Sequence, residues 1–484
     1  MTNIGVEVTT SVRSGPASSG PVSGRLHIPG ITETGPVDKA TIIRSLSDFI
    51  EVYGSRTSYS ANTYDSARLF FEEGGAELVV SRAVGPAAAA DFAVLKDEAG
   101  IDTLRVSALY PGRDASSLTV TVTEDSGATT LTVRSGTTVV GRFIGTTPGE
   151  IVAAAVNNRF VKVADLGSAT VDPDNLPVPV VATALSGGTD DRANITPAIL
   201  IKALDKAGDI AEGGAVAAPG YPAGVVGTLL TEHARNRNKI ALLAFDEKTT
   251  IDESIVAATA LNTTLGDYAG IIFPHVVIPD GSGQRTVSPE AYAGAVRARA
   301  HVAEGYWRKP FGDIAVTRWI IGTNIPVNRE ENNKLSAGLV NGIITTNGKT
   351  RLYNWTSLST DRANLASLRD RDMLNNLARQ IKIVLEPFVG VGIDGKGQVR
   401  GFVESDVTGV LEPIAQANGL FALQPNEDTG FEGDPGYRVD VSEAINTLAS
   451  LSENMLNVAV SVRMSPTADL IRVEIIKVAL TGAL

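Results

Sequence analysis

Apolar and polar residues alternate most regularly near the two ends of the chain. Between Met455 and Arg463 every even-numbered position is Leu or Val, and the intervening positions are mostly small or polar. The same alternation is found in two further groups of apolar positions: Ile471, Val473 and Ile475, and Ile4, Val6 and Val8. Alternation with a period of two is typical of a β-strand that has one apolar face. We therefore predict β-strands at both ends of the chain.

The predicted N-terminal strand is joined to the rest of the chain by a linker. Residues 14–21 read Ser-Gly-Pro-Ala-Ser-Ser-Gly-Pro, a composition that resists regular structure. A linker of this length extends to about 26–29 Å, far enough to leave the body of one subunit. An apolar strand on such a tether pairs either with its own body or with the exposed sheet edge of a neighbour. We predict the neighbour, and we call residues 1–22 the N-terminal arm and the strand that begins near Ile471 the C-terminal arm.

Strands and helices alternate along two stretches of the chain, residues 23–85 and residues 191–350. The second stretch includes a helix predicted from the Thr196 N-cap and Pro197, a continuous apolar strand from Ile240 to Phe245, and a further strand from Ala269 to Ile278. This rhythm is typical of crossover units around a parallel or mixed sheet. The two stretches are predicted to be the first and second parts of one α/β core.

The composition changes between the two parts of the core. Residues 86–190 are rich in Thr, Val, Ser and Gly, and short alternating runs such as 118–122 predict strands. We predict that this stretch is an inserted, mostly-β domain that protrudes from the core. Residues 351–484 combine a long helix beyond Asp361 with the terminal strands, which predicts a C-terminal α+β domain that ends in the arm. The predicted fold class is therefore α/β (α+β), multidomain, with extended terminal strands.

Composition and charge narrow the range of functions. The 484 residues carry a net charge of −12, whereas a nucleic-acid-binding surface needs an excess of Lys and Arg. The absence of Cys excludes disulfides, thiolate metal sites and thiol catalysis. No apolar run reaches the length of a membrane span, and the N-terminus has no signal-peptide pattern. We expect a protein that assembles in the cytoplasm and neither binds nucleic acid directly nor inserts into a membrane.

Two glycine-rich stretches resemble nucleotide-binding motifs without matching them. Residues 342–350 have five residues between the first Gly and Gly-Lys-Thr, where a phosphate-binding loop has four. We interpret this stretch as a hairpin with its turn at Asn347-Gly348. The glycines at 390, 392 and 395 follow a helix rather than a strand, and no helix is predicted to open after them. We interpret these glycines as a flexible loop.

No other pattern indicates catalysis or a bound cofactor. The four histidines are scattered, and none has the spacing of a metal-ligand set: His27, His233, His275 and His301. No Gly-x-Ser-x-Gly motif is present, and adjacent carboxylates are expected at the solvated surface. We predict no catalytic residue, no metal and no cofactor.

The long helix predicted before Glu386 carries a polar stripe opposite its apolar face. The residues of the stripe follow one another at steps of three or four positions: Arg371, Asn375, Arg379 and Lys382. Two interpretations of this stripe are open. It is either a solvated face or a basic contact strip for an acidic partner surface.

Several short segments of the chain are informative when they are taken together, in the order in which they occur. One reads Ser-Pro-Glu-Ala-Tyr-Ala-Gly-Ala-Val-Arg-Ala-Arg at 288–299 and is followed by Glu-Gly-Tyr-Trp-Arg-Lys-Pro at 304–310. Another reads Tyr-Asp-Ser-Ala-Arg-Leu-Phe-Phe-Glu-Glu-Gly-Gly at 64–75, and the others lie at 78–82, 108–112, 185–190, 218–220, 437–447 and 465–471. In this order the segments resemble the contractile tail sheath proteins of tailed phages and related injection machines. One departure is Trp355, which precedes a polar stretch where sheath proteins usually run into a double Arg.

The resemblance implies a structural subunit and not an enzyme. Sheath subunits polymerise as stacked hexameric rings around an inner tube, and contraction drives the tube through a cell envelope. In the family the terminal arms insert as strands into sheets of adjacent subunits, which implies that role for Ile4, Val6, Val8, Ile471, Val473 and Ile475. The implied partners are further copies of the chain, the inner tail tube protein, and the baseplate and tail terminator proteins. The implied location is the tail of a virion, and the stripe from Arg371 to Lys382 is the candidate tube contact.

Two other classes of function stay open at this level. One is a nucleotide- or small-molecule-binding α/β enzyme with a β insertion, which the strand–helix rhythm and the glycine loops suggest. The other is a different self-assembling structural protein, such as a capsid or fibre component. By analogy, the sizeable inserted domain favours a phage tail over a bacteriocin or a secretion apparatus.

Overall fold

The computed structural model describes residues 21–112, 118–125, 127–210, 212–281, 283–425 and 432–469. The apolar positions of both predicted arms lie outside the described residues: Ile4, Val6, Val8, Ile471, Val473 and Ile475. The chain divides into two compact units. The first unit holds the chain up to Tyr306 together with Pro310–Asp372, and the second holds Trp307–Lys309 and the chain from Met373 onward.

The strands of the described residues are short and spread along the whole chain. In chain order they are β1 (Leu26–Gly30), β2 (Thr41–Ile43), β3 (Leu78–Arg82), β4 (Phe92–Lys96), β5 (Asp102–Ala108), β6 (Leu118–Asp125), β7 (Ala128–Ser135), β8 (Thr138–Gly145), β9 (Val161–Asp165), β10 (Val180–Ala184), β11 (Ala215–Ala217), β12 (Ile240–Ala244), β13 (Ala269–Phe273), β14 (Val276–Asp280), β15 (Gly283–Val287), β16 (Gly322–Thr323), β17 (Val340–Thr346), β18 (Lys349–Leu352), β19 (Tyr437–Asp440) and β20 (Ala459–Val462).

Helices begin where local capping chemistry favours them. Thr196 accepts a hydrogen bond from the Ile199 amide and Pro197 takes the first helical position, as predicted. The helices are α1 (Leu46–Tyr53), α2 (Ala61–Glu72), α3 (Pro148–Ala155), α4 (Pro197–Lys202), α5 (Ala223–Asn236), α6 (Ile251–Ala260), α7 (Glu290–Ala303), α8 (Arg329–Ala337), α9 (Leu368–Leu385), α10 (Gln398–Gln416) and α11 (Leu448–Ser452).

An eight-stranded mixed sheet, in the order β18-β17-β13-β12-β11-β1-β3-β2, is the centre of the first unit. Its pairs are parallel except at the edges, where β2 and β18 run antiparallel to their neighbours. The central strands are buried along their whole length, so both faces of the sheet need covering. Helices α2 and α7 cover one face, and helices α4, α5, α6 and α8 cover the other. The predicted mixed α/β architecture is confirmed.

The apolar strand predicted from Ala269 to Ile278 is two strands. β13 ends at Phe273 in the main sheet, and β14 starts at Val276 in a separate three-stranded sheet with β15 and β16. Pro274 lies between them and has no N–H to donate to a ladder. The prediction of one continuous strand was therefore wrong at this proline.

Strands β4–β10 and helix α3 form two smaller sheets and their covering helix. One sheet has the order β10-β6-β7-β8 and the other the order β4-β5-β9. These strands share an apolar core of their own, which includes Val106, Val120 and Leu131. All of them lie within the segment for which the sequence predicts an inserted mostly-β domain.

Residues 351–372, which were predicted to open the C-terminal domain, belong to the first unit. β18 is an edge strand of the main sheet, and Trp355 and Leu368 are fully buried in that unit's core. The second unit contains the rest of α9, helices α10 and α11, and a two-stranded sheet of β19 and β20.

Candidate assembly surfaces

The two-stranded sheet of the second unit contains part of the alternating stretch predicted near the C-terminus. β19 and β20 pair antiparallel, with Tyr437 opposite Val462 and Asp440 opposite Ala459. Val460 and Val462 are half-buried, whereas Ala459 and Ser461 are exposed, so the predicted alternation is confirmed. The strand is shorter than the predicted one.

A buried amide holds the chain on both sides of this sheet. Asn446 is 3 % exposed, and its Nδ2 donates to the carbonyl oxygens of Val441 at 3.1 Å and Asn457 at 2.9 Å. Its Oδ1 accepts a hydrogen bond from the Asn457 amide at 2.7 Å. One side chain therefore joins the segment after β19 to the segment before β20.

Neither outer edge of the β19–β20 sheet pairs with another strand among the described residues. Helix α10 packs against β19, but a sheet of two strands has few ladder hydrogen bonds of its own. Unpaired edge N–H and C=O groups can accept a further strand from another molecule. The half-buried side chains of Val439, Val460 and Val462 provide an apolar face on which added side chains could pack. This sheet is the best candidate acceptor for an arm.

The predicted polar stripe on α9 is not a continuous solvated surface. Arg371 forms an ion pair with Asp267, and its guanidinium lies 4.4 Å from the ring centre of Tyr268. Asn375 is only 4 % exposed. Arg379 is half-buried and Lys382 is exposed. The interpretation of all four residues as one open face is corrected, because the start of α9 packs against the segment just before β13.

A buried group of charges at the start of α9 has only a weak signal in the sequence. Arg297 donates to Asp372 twice, from Nε to Oδ2 at 2.6 Å and from Nη2 to Oδ1 at 2.7 Å. The two side chains are 0 % and 3 % exposed, and His301 Nε2 lies 3.4 Å from Asp372 Oδ2. Burial acts to raise the pKa of Asp372, but Arg297 and the hydrogen bonds from His301 and Arg297 hold it below its ordinary value. The spacing of Arg297 and His301 on one helix face was the available signal.

The first glycine-rich stretch forms the predicted hairpin. β17 and β18 pair antiparallel, with Thr346 opposite Lys349, and Asn347 and Gly348 have φ of 53° and 72°. Positive φ at both central residues is what a tight two-residue hairpin turn requires. No phosphate-binding loop is formed at this position.

The second glycine-rich stretch differs from the prediction in one respect, because a long helix does open after it. α10 begins at Gln398, shortly after Gly395. The carboxylate of Asp394 accepts hydrogen bonds from the amides of Lys396 at 2.8 Å, Gln398 at 3.0 Å and Val399 at 2.8 Å. The position at which a bound phosphate would meet the helix N-terminus is therefore taken by the chain's own carboxylate.

A polar cleft of about 260 Å³ lies at the carboxyl ends of β11, β12 and β13, where parallel-sheet enzymes bind ligands. Two arginines line it, and both donate to Asp65: Arg56 Nε at 2.9 Å and Arg285 Nη2 at 3.0 Å. The cations that could hold an anionic ligand are already bound to a carboxylate of the same chain.

Within the part of the chain that the structure describes, no helix is both long and apolar enough to cross a membrane. In the same residues, no cluster of three or more His, Asp or Glu side chains is placed to hold a metal ion.

Comparisons with known proteins agree with the ordered segments found in the sequence. No family model and no curated protein matches the chain. A chain of the anti-feeding prophage baseplate has a TM-score of 0.58 at 14 % identity, over 98 % of this chain and 99 % of that chain. A sheath tail protein of Listeria innocua has a TM-score of 0.60 at 12 % identity, over 89 % and 90 %. A chain of an extracellular contractile injection system, the PVC sheath complex in its contracted state, has a TM-score of 0.55 at 13 % identity, over 99 % of this chain and 98 % of that chain.

These similarities extend over nearly the full length of the chain and of the compared chains. The chain therefore has the fold of contractile sheath proteins, which confirms the resemblance predicted from the sequence at the level of fold.

Proposed function

We propose that this protein is the structural subunit of a contractile tail sheath. It polymerises as stacked hexameric rings around an inner tube, and contraction of the polymer drives the tube through a target cell envelope. Its partners are further copies of itself, the inner tail tube protein, and the baseplate and tail terminator proteins. The subunit is assembled in a host cytoplasm and becomes part of the tail of a virion.

The observation that carries this proposal is the β19–β20 sheet, whose outer edges pair with no other described strand in a chain of sheath fold. A sheet of this size gains stability when a third strand joins it, because main-chain hydrogen bonds and apolar contacts are then added together. The arms provide such strands, since alternate positions near Ile4 and near Ile471 are apolar. Each subunit is thereby linked to its neighbours while the bodies of the subunits move.

The absence of Cys from the sequence allows a direct test of strand exchange. Two single-cysteine variants, Val6→Cys in the arm and Ser461→Cys in the sheet, are mixed in equal amounts, assembled and oxidised. Strand exchange predicts a cross-linked species that contains one copy of each variant. A matched control replaces Ser461→Cys by Val256→Cys, because Val256 is 72 % exposed on α6 in the other unit. Equal cross-linking of the control, or none with Ser461→Cys and with Arg438→Cys on the other strand, argues against exchange of the N-terminal arm.

Removal of residues 1–13 tests the consequence for assembly. The truncated chain should keep the far-ultraviolet circular dichroism and the unfolding midpoint of the full chain, yet form no long hollow tubes in electron micrographs. Normal long tubes from the truncated chain contradict the proposal. Shells or thin fibres from the full chain indicate a different self-assembling protein.

We also propose that α9 contributes to contact with the inner tube through Arg379 and Lys382. Arg371 and Asn375 were part of the predicted contact, but the first is engaged by Asp267 and Tyr268 and the second is buried. Lys382 is exposed, and its position near the C-terminal end of the helix suits a contact with an acidic partner surface.

A further inference from the structure

The first described residues of the chain are attached to helix α7. Val22–Gly24 form a single 3-10 turn, in which the Gly24 amide donates to the Pro21 carbonyl at 2.8 Å. Gly24 is buried against α7, because a Cβ built on it would lie 3.4 Å from the Cα of Ala298. About one turn further along α7, the ring of His301 lies beside the backbone of Ser23. The first described residues, which adjoin the predicted N-terminal arm, are therefore held by the second half of α7.

The last described residue, Asp469, is attached to the segment that follows α7. Lys309 Nζ lies 2.5 Å from Asp469 Oδ2, and the two side chains are 6 % and 55 % exposed. Asp469 Oδ1 also accepts a hydrogen bond from Thr467 Oγ1 at 2.9 Å. A charged ammonium that is almost fully enclosed needs a well-placed anion. Asp469, which adjoins the predicted C-terminal arm, is therefore held by Lys309.

Helix α7 itself is firmly held in the first unit. Every residue from Glu290 to His301 is buried, which is unusual for a helix of this length. The Arg297–Asp372 pair and a hydrogen bond from the Leu352 amide to the Tyr292 hydroxyl, at 3.0 Å, join α7 to two other segments. A helix enclosed in this way resists bending and rotation.

We propose that residues 298–309, here called the arm strap, form a mechanical link between the roots of the two terminal arms. A force applied between the arms is carried in part by the second half of α7 and by the Lys309–Asp469 ion pair, because Gly24 packs on α7 immediately before the chain enters β1 of the eight-stranded sheet. This inference rests on the proposed function, because the arms carry force only if neighbouring subunits bind them. Lys309 and Asp469 are then positioning residues for assembly and contraction.

The test compares two exposed acids of the second unit, each paired with a mostly buried base. Asp469→Asn removes the charge that faces Lys309, and Asp469→Glu keeps it. The matched control is Glu443→Gln, because Glu443 is 86 % exposed and pairs with Arg400, which is 17 % exposed, at 3.2 Å. Full-length wild type and variants are assembled, passed through a narrow needle at fixed flow, and measured by negative-stain electron microscopy. Urea unfolding and hydrogen exchange of the free subunits are measured in parallel.

The strap predicts that Asp469→Asn polymers break to a mean length roughly threefold or more below the wild-type length, because a charge-assisted contact on the force path is lost. Asp469→Glu and Glu443→Gln polymers should keep the wild-type length. In free Asp469→Asn subunits the enclosed ammonium of Lys309 loses its anion, so the urea midpoint should fall as well. Lys309→Met removes that ammonium and leaves only an exposed carboxylate, so its free subunits should keep the wild-type midpoint while its polymers are as fragile as those of Asp469→Asn. A purely structural role predicts instead that Lys309→Met polymers keep the wild-type length.

Two results overturn the strap while leaving the proposed function in place. One is that Asp469→Asn polymers resist shear as well as Glu443→Gln polymers. The other is that Lys309→Met subunits, which keep the wild-type urea midpoint, form polymers of the wild-type length. Failure of the wild-type chain to form any polymer overturns the proposed function, and this inference with it.

Discussion

Replacing Asp372 by Asn removes the only carboxylate charge from the buried group that Asp372 forms with Arg297 and His301 at the start of α9. Asp372 and Arg297 are joined by two hydrogen bonds, of 2.6 Å and 2.7 Å, and their side chains are 3 % and 0 % exposed. The variant keeps the shape of the side chain but leaves the guanidinium of Arg297 buried without a counter-charge. Breaking a buried ion pair in this way costs about 3–5 kcal/mol, so we expect a loss of that size in the free energy of unfolding.

Urea unfolding followed by tryptophan fluorescence measures this loss. Two of the three tryptophans, the fully buried Trp355 and the half-buried Trp319, lie in the unit that holds the ion pair. Trp307 lies in the second unit, so the measurement is made in a Trp307→Phe background. The double variant Arg297→Met/Asp372→Leu should be far more stable than Asp372→Asn, because replacing both charges by apolar groups is often neutral. An Asp372→Asn chain within about 1 kcal/mol of wild type, or a double variant as unstable as the single one, would refute the reasoning.

Three further predictions follow from other parts of the chain. Glu73 is fully buried and accepts hydrogen bonds from three consecutive backbone amides, at residues 318–320, so Glu73→Gln should lower the free energy of unfolding by about 1–3 kcal/mol in urea titrations. Burial, with Lys239 nearby, lowers the pKa of His233 from 6.5 to about 4. Between these two pH values the folded chain binds fewer protons than the unfolded chain, so the free energy of unfolding should fall as the pH falls from 6.5 towards 4. His233→Gln should reduce that slope in unfolding midpoints measured across the range, and an unchanged slope contradicts the assignment. Arg379→Glu with Lys382→Glu should weaken co-sedimentation with the inner tube protein without changing the unfolding midpoint, whereas unchanged co-sedimentation means that these residues form only a solvated face.

Features that depend on neighbouring residues were predicted well. The Thr196 cap with Pro197 and the Asn347-Gly348 turn depend on backbone geometry within a few residues, and both are present. The alternation of apolar positions before Arg463 correctly predicted a strand with one half-buried face. The missed break at Pro274 was also local, since the absence of its N–H was visible in the sequence and was given too little weight against a long apolar run.

The charge contacts could not be predicted in the same way. Periodicity on α9 identified residues that share a face, but it could not show that Asp267 would neutralise Arg371 or that Asp372 would meet Arg297 on another helix. Such pairs are brought together by the packing of segments that are distant in sequence, and the energies involved depend on burial.

The sequence by itself determined many of the local elements, the absence of thiol chemistry and the order of segments that resemble sheath proteins, and it predicts strands in both arms. Only the tertiary structure decided which edges stay unpaired among the described strands, which half of the α9 stripe is covered, and that Gly24 and Asp469 contact α7 and the segment after it. The physical reason is the separation along the sequence of the residues that interact. Caps, turns and alternation are set by interactions between near neighbours, whereas a sheet edge or a buried ion pair exists only once distant segments have packed around it.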